Sequence, residues 1–149
     1  MIKYDTPSWL AAGSTGKGEE LDEARAYGNA HPLALPRQTH SDHVAYVSSY
    51  CRSEDTDAVF TDVPGLCLAV KTADCIPVLL YDHRLRKVAA IHAGWKGTVQ
   101  RIVEKTIEAL NEAQDRIIQK ELEKARQIAN EQVNNVPEKI EPIKRNKFT

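Results

Sequence analysis

Three short segments carry residue types suited to chemistry: Gln38-Thr-His-Ser-Asp-His43, Thr72-Ala-Asp-Cys-Ile-Pro77 and Ile91-His-Ala-Gly-Trp-Lys-Gly97. Each brings one borderline or soft metal donor to the end of an expected strand. His40 precedes a strand from Val44, Cys75 lies just past an apolar run from Leu66, and His92 ends a strand from Val88. Neighbouring strands can bring such ends together although they are distant in sequence. Two imidazoles and a thiolate make a three-ligand set, and a fourth position left to water is the mark of a catalytic zinc. Zinc held this way lowers the pKa of its water to roughly 7. From spacing alone the bland alternatives stay open. A single His near a strand end is more often a hydrogen-bonded structural residue, and a buried Cys more often a small hydrophobe.

The elements expected to position these residues are strands, then a helix. Val44–Val47 and Ala58–Phe60 read as strands, and Leu66–Val70 as an apolar strand covered on both faces. Ile76–Tyr81 and Val88–Ile91 flank the polar turn Asp82–Lys87 and read as a hairpin. Pro77 has no N–H for a ladder, so it belongs at a strand start or bulge. Past Gly97 the apolar period becomes helical, from Val99 through Ile102, Val103, Ile107 and Leu110 to Val133. A helix of about 35 residues is roughly 50 Å long, so it either breaks near Asn111–Asp115 or projects towards a partner. Before the strands, Ala11–Gly18 fails as a phosphate loop, because Gly18 follows Lys17 where a hydroxyl is needed. A short helix over Glu19–Tyr27, stopped by Gly28-Asn29, is expected there. The last twelve residues, with Pro142 and Lys144-Arg-Asn-Lys147, read as a loose tail. The expected fold class is α/β: a mixed β-sheet with flanking helices and a long C-terminal amphipathic helix. Residues 1–110 form the core, and residues 111–149 a charged helix extension and tail.

Composition narrows the function. The 149 residues suit one domain, and 42% hydrophobic residues suffice for a packed core. A formal charge of −1 excludes a generally basic nucleic-acid binder. No apolar run is long enough to span a bilayer, and Met1–Asp5 has no secretion pattern. Three cysteines (Cys51, Cys67, Cys75) are an odd number, so a reduced, cytoplasmic protein is expected.

Four motifs carry a family resemblance: Gln38-Thr39-His40, Asp57-Ala-Val-Phe-Thr61, Thr72-Ala-Asp-Cys-Ile-Pro-Val-Leu-Leu80 and His92-Ala-Gly-Trp-Lys-Gly-Thr98. By these motifs the stretch from Arg37 to about Ala109 resembles the polyphenol oxidase (laccase-domain) family, also described as purine nucleoside phosphorylases. The resemblance implies a mononuclear zinc site on His40, Cys75 and His92. It also implies phosphorolysis of adenosine, inosine and methylthioadenosine, adenosine deamination and a copper-dependent oxidation of phenols. A peptidoglycan-precursor editing role is attached to some bacterial members. Departures are Ser41 where Gly is usual and His43 where members vary. The family's N-terminal strands are hard to find in residues 1–30. A charged helix stands where the family continues with a Gly-Pro strand and a Cys- and Arg-bearing segment. A truncated chain, or a family core with an unrelated end, is therefore expected.

Within that frame, Asp74 is a candidate base or hydrogen-bond partner of a ligand, or else a turn cap. His43 is a candidate fourth ligand, proton shuttle or surface residue. Arg37 and Lys96 are candidate anion contacts, or else solvated charges. Trp95 would stack on a purine or cap the sheet as a core aromatic. Gly94 and Gly97 would let backbone approach a ligand or turn sharply into the helix. The expected activity is zinc-dependent purine nucleoside phosphorolysis, with adenosine deamination at the same site. The expected partners are a small-molecule nucleoside and phosphate, with no nucleic acid and no membrane, and a second copy meeting the C-terminal helix. The alternatives are a copper-dependent phenol oxidase and a non-catalytic core with an associating helix. Five histidines are too few for a multicopper electron store, so nucleoside chemistry ranks above phenol oxidation.

Overall fold

The computed structural model describes residues 1–19, 32–49 and 52–134. The helix expected over Glu19–Tyr27, apart from Glu19, and the C-terminal tail lie outside the described residues. Two units divide the chain, Met1–Asn111 and Glu112–Thr149.

The first unit is built on strands, and its α/β character is as expected. In chain order they are β1 (Ile2–Lys3), β2 (Gly13–Ser14), β3 (Leu33–Ala34), β4 (Val44–Tyr46), β5 (Ala58–Thr61), β6 (Cys67–Leu68), β7 (Ile76–Asp82) and β8 (Lys87–Ala93). The main sheet runs β4-β5-β8-β7, with β4 parallel to β5 and the other pairs antiparallel. β7 and β8 form the expected hairpin, and Arg86 turns the chain with a φ of 52°. Pro77 is second in β7, at the end of the strand order, where a missing N–H interrupts no interior ladder.

Both faces of the sheet's centre are covered. Val59 and Ala90 pack on one side with Ala34, Val47 and Leu66. Ala58, Ile91 and Ala93 pack on the other against Ile102, with Val103 adjoining. This layering corrects the reading of the run from Leu66. That run is not a central strand. Only Cys67–Leu68 is extended, paired parallel with β3 outside the main sheet. Its apolar side chains serve as the cover layer, with Leu66 buried and Leu68 and Val70 packed beside it.

The helical region also begins differently from its periodicity. A short helix, α1, spans Trp95–Val99, and Arg101 takes a left-handed φ of 64° before α2 runs unbroken over Ile102–Asn134. Ile102, Thr106 and Leu110 are buried, and Lys87 sends its Nζ to the Leu110 carbonyl at 2.9 Å. Lys105 forms an ion pair with Asp42, whose carboxyl it holds below the usual range. In the second unit residues 115–134 are all exposed, with Ile117, Leu122, Ile128 and Val133 among them. No described helix is long and apolar enough to cross a membrane.

Gly97 shows why a residue without Cβ is needed where α1 meets the loop after His40. A Cβ there would lie 2.9 Å from the Ser41 carbonyl oxygen and 3.5 Å from Ile102 Cγ2. The first of these contacts is backbone and cannot rotate away. Gly97→Ala is expected to cost about 1–3 kcal/mol through overpacking, read from chemical denaturation. A change within about 0.5 kcal/mol, ordinary for a surface site, would contradict this account.

Candidate metal centre

The strand order explains how the chemistry-bearing residues meet. His40 lies in the loop before β4, Asp57 immediately precedes β5, His92 is near the end of β8, and Cys75 immediately precedes β7. Four strand ends therefore contribute His40, Asp57, His92 and Cys75 in the spatial order of the sheet. Ala58 pairs with Ile91, so Asp57 stands opposite His92, whose backbone N–H donates to the Asp57 carbonyl at 2.7 Å. Pro77 pairs with His92. Side chains alternate along a strand, so Asp57, His92, Pro77 and Cys75 share one face, that of Val59 and Ala90.

One donor atom each from His40, Cys75 and His92 lies within 4.8 Å of the others. The two rings meet edge to face with centroids 4.9 Å apart. His92 is buried, Cys75 half-buried and His40 exposed. The donor set suits a borderline divalent ion. Ligands bonded at roughly 2.0–2.3 Å to one ion sit about 3.4–3.6 Å apart in a tetrahedron, so chelation needs only small side-chain shifts. Gly94 leaves room for the group: a Cβ there would lie 3.0 Å from His40 Cδ2 and 3.5 Å from Cys75 Sγ.

Asp57 is the polar hub of the region and is fully buried. Its carboxylate accepts hydrogen bonds from the backbone N–H groups of Thr39, His40 and Ser41, at 3.1, 3.1 and 2.8 Å. The Ser41 hydroxyl donates at 2.8 Å, and His92 Nδ1 lies 2.6 Å from Oδ2. Burial pushes its carboxyl pKa up, but the bonds from His92, Ser41 and Thr39 outweigh this and hold it below the usual range. Ser41, the departure from the family pattern, thus contributes its hydroxyl to this hub. Gln38 makes a second tie. Its Nε2 donates to the Lys71 carbonyl and its Oε1 accepts from the Lys71 N–H, both at 2.7 Å.

Beside the donors lies a cavity of about 820 Å³. Asp74, Arg37, Arg52 and Lys71 line it together with the three donor residues. Asp74 is exposed, and the carboxylate bonded to a donor imidazole is that of Asp57. Arg37 also pairs with Glu54 at 3.0 Å. His43 is outside the donor group. Its Nδ1 faces Asp55, 2.8 Å from the carbonyl oxygen and 3.1 Å from the carboxylate. Lys96 is exposed, and neither it nor Trp95 lines the cavity. Trp95 is not a core aromatic. At the first position of α1 it is 79% exposed, and the buried position of this helix is Gly97. Asp57, Gln38, Arg52 and Lys71 escaped the sequence reading of the site. A charged residue directly ahead of the apolar stretch Ala58-Val-Phe60 was the available signal for Asp57.

The chain is similar to known proteins over part of its length. The chain is 44% identical over 85 residues to a purine nucleoside phosphorylase of Bacteroides thetaiotaomicron, covering 50% of this chain and 32% of that protein. It is 40% identical over 88 residues to an adenosine deaminase from an unknown prokaryotic organism, covering 52% of this chain and 34% of that protein. Among solved structures it resembles a Neisseria meningitidis protein, with a TM-score of 0.53 at 35% identity, over 59% of this chain and 36% of that one. The chain thus spans about a third of the length of these relatives. Residues 18–122 match the family described as multi-copper polyphenol oxidoreductase laccase. With that match extending over most of its 149 residues, the chain belongs to the multi-copper polyphenol oxidoreductase laccase family.

Proposed function

We propose that this chain carries the metal centre of a zinc-dependent, cytoplasmic purine nucleoside phosphorylase, with adenosine deamination at the same site. The observation that carries the reading is the convergence of His40, Cys75 and His92 on a cavity that Arg37, Arg52 and Lys71 also line. A bound zinc would supply Lewis-acid polarisation. The three cationic side chains lining the cavity attract an anion such as phosphate, and Arg offers it paired donors. In phosphorolysis a phosphate oxygen bonds to the anomeric carbon while the bond to the purine nitrogen breaks, and the departing base takes up a proton. That proton comes from phosphate or water, and Asp74, the exposed carboxyl of the cavity, is assigned as the base that relays it. Arg37 binds the phosphate, and Lys96 and Trp95, close to His92 in sequence though not in the cavity lining, are assigned to substrate contacts. His43, held by Asp55, is assigned to proton exchange with solvent. Cys75 is a free thiol, in keeping with a reducing compartment.

Phenol oxidation by copper ranks second. Among the described residues there is one three-donor group, whereas storage of several electrons needs several copper ions. The test is incubation of the zinc-loaded chain with inosine and phosphate, and separately with adenosine. Hypoxanthine is expected only when phosphate is present, and ammonia from adenosine. A zinc-loaded chain that releases neither product would overturn the reading in favour of a non-catalytic core.

The exposed apolar residues Ile117, Ile118, Leu122, Ile128 and Val133 support a second copy as partner of α2. Leu122→Glu is expected to halve the mass found by light scattering. Equal masses for both proteins would dismiss that association.

A further inference from the structure

We infer that Asp57 and Gln38 are positioning residues that set the metal triad before any ion arrives, Asp57 by holding the His92 imidazole and the backbone of His40, and Gln38 by joining the loops that carry His40 and Cys75. The inference rests on reading the triad as a metal site, and it assigns roles to two residues that take no part in ligation.

Asp57 acts on His92 through the ring. With Nδ1 at 2.6 Å from the carboxylate, the proton between them belongs to Nδ1 and the lone pair to Nε2, the ring atom left for the other donors. A carboxylate bonded to the far nitrogen of a ligand imidazole fixes its tautomer and orientation. Asp57 acts on His40 through the backbone. His40 has a φ of 60°, left-handed for a residue with a side chain. The N–H groups of Thr39, His40 and Ser41 all point at the same carboxylate. One buried anion therefore curls the main chain around itself and fixes where the His40 ring starts. The His92 ring and the His40 backbone thus share a single anchor.

Among the described residues no hydrogen bond joins Cys75 to that hub. Its loop is fixed instead at Lys71, four residues earlier, where the Gln38 amide makes both bonds that a neighbouring strand would make. Gln38 is itself two residues before His40. The side chain thus bridges the segments of His40 and Cys75, while Asp57 bridges those of His40 and His92. Each donor residue or its loop is fixed by protein groups alone, as a preorganised site requires.

The test begins with the metal-free native chain. Long-range proton–nitrogen NMR should show His92 protonated at Nδ1 and bare at Nε2. A proton on Nε2 would overturn the role of Asp57. Zinc affinity is then measured by chelator competition for the native chain, Gln38→Ala and Asp57→Asn, alongside the visible spectrum of each loaded with cobalt(II). Each substitution is expected to weaken zinc by about 10–100-fold and to alter the cobalt bands. Native affinity and native bands in both variants would sink the inference, whatever their thermal stability. Asp57→Asn opposes an amide N–H₂ to backbone donors. If it does not fold, Ser41→Ala removes one hub donor, and its His92 signals and zinc affinity decide instead. A native chain that takes up neither zinc nor cobalt refutes the metal reading itself, and the NMR result still judges the hub.

Discussion

On the proposed zinc centre, Cys75→Ser is expected to abolish metal binding while leaving the fold in place. The thiol is the only donor of the triad that binds as an anion, and a serine hydroxyl stays protonated near neutral pH, so it is a poor replacement. Zinc content after dialysis should fall from about one per chain to near zero. The proposed phosphorolysis should fall at least about a hundredfold, the scale of losing a principal charge-stabilising group. The exchange swaps one half-buried sulfur for oxygen, so the metal-free protein should melt at nearly its native temperature. His92→Ala makes the contrast. It removes a donor and also leaves the Asp57 carboxylate without its shortest bond, so metal and stability should be lost together. Retention of zinc by Cys75→Ser, measured by elemental analysis, would remove the thiol from the site.

The largest expected stability effect belongs to Asp57→Ala. Five donor atoms converge on this carboxylate in a fully buried place. Alanine leaves them facing one another and an empty space. A buried donor left unpaired costs about 1–3 kcal/mol, and relaxation will return part of that to water. A loss of at least about 4 kcal/mol is expected, against a total stability of roughly 5–15 kcal/mol. The effect should depend on pH. The Asp57 carboxyl is held below the usual range in the folded chain, so its contribution is present above the unfolded value of about 3.9 and is lost as pH falls through the lower folded value. Urea titrations at pH 7 and pH 3 should show native and variant proteins converging on acidification. A gap that persists unchanged would assign the stability to something other than this charge.

Parts of the site were legible because they are local. The hairpin followed from a polar turn between two apolar runs, and His40, Cys75 and His92 stood out by side-chain chemistry at strand ends. The run from Leu66 was misread because continuous apolarity states that a segment is covered but not by what, and it proved to be the cover. The kink at Arg101 was hidden by a helical period that continues across it. Trp95 was misread as core because its size favours burial, whereas its place in the turn decides the outcome. The Asp57 hub was the least visible. Its donors lie 16 to 18 residues away in one loop and 35 away at His92, so its importance arises only when two ladders bring them together. Gln38 is similar, meeting a backbone 33 residues off.

The left-handed backbone at His40 sets two demands against each other at a single position. Glycine or asparagine would occupy that conformation with less steric conflict, yet neither supplies an imidazole. Directed evolution that rewards only heat resistance would therefore drift away from histidine there, and a library screened for turnover would restore it.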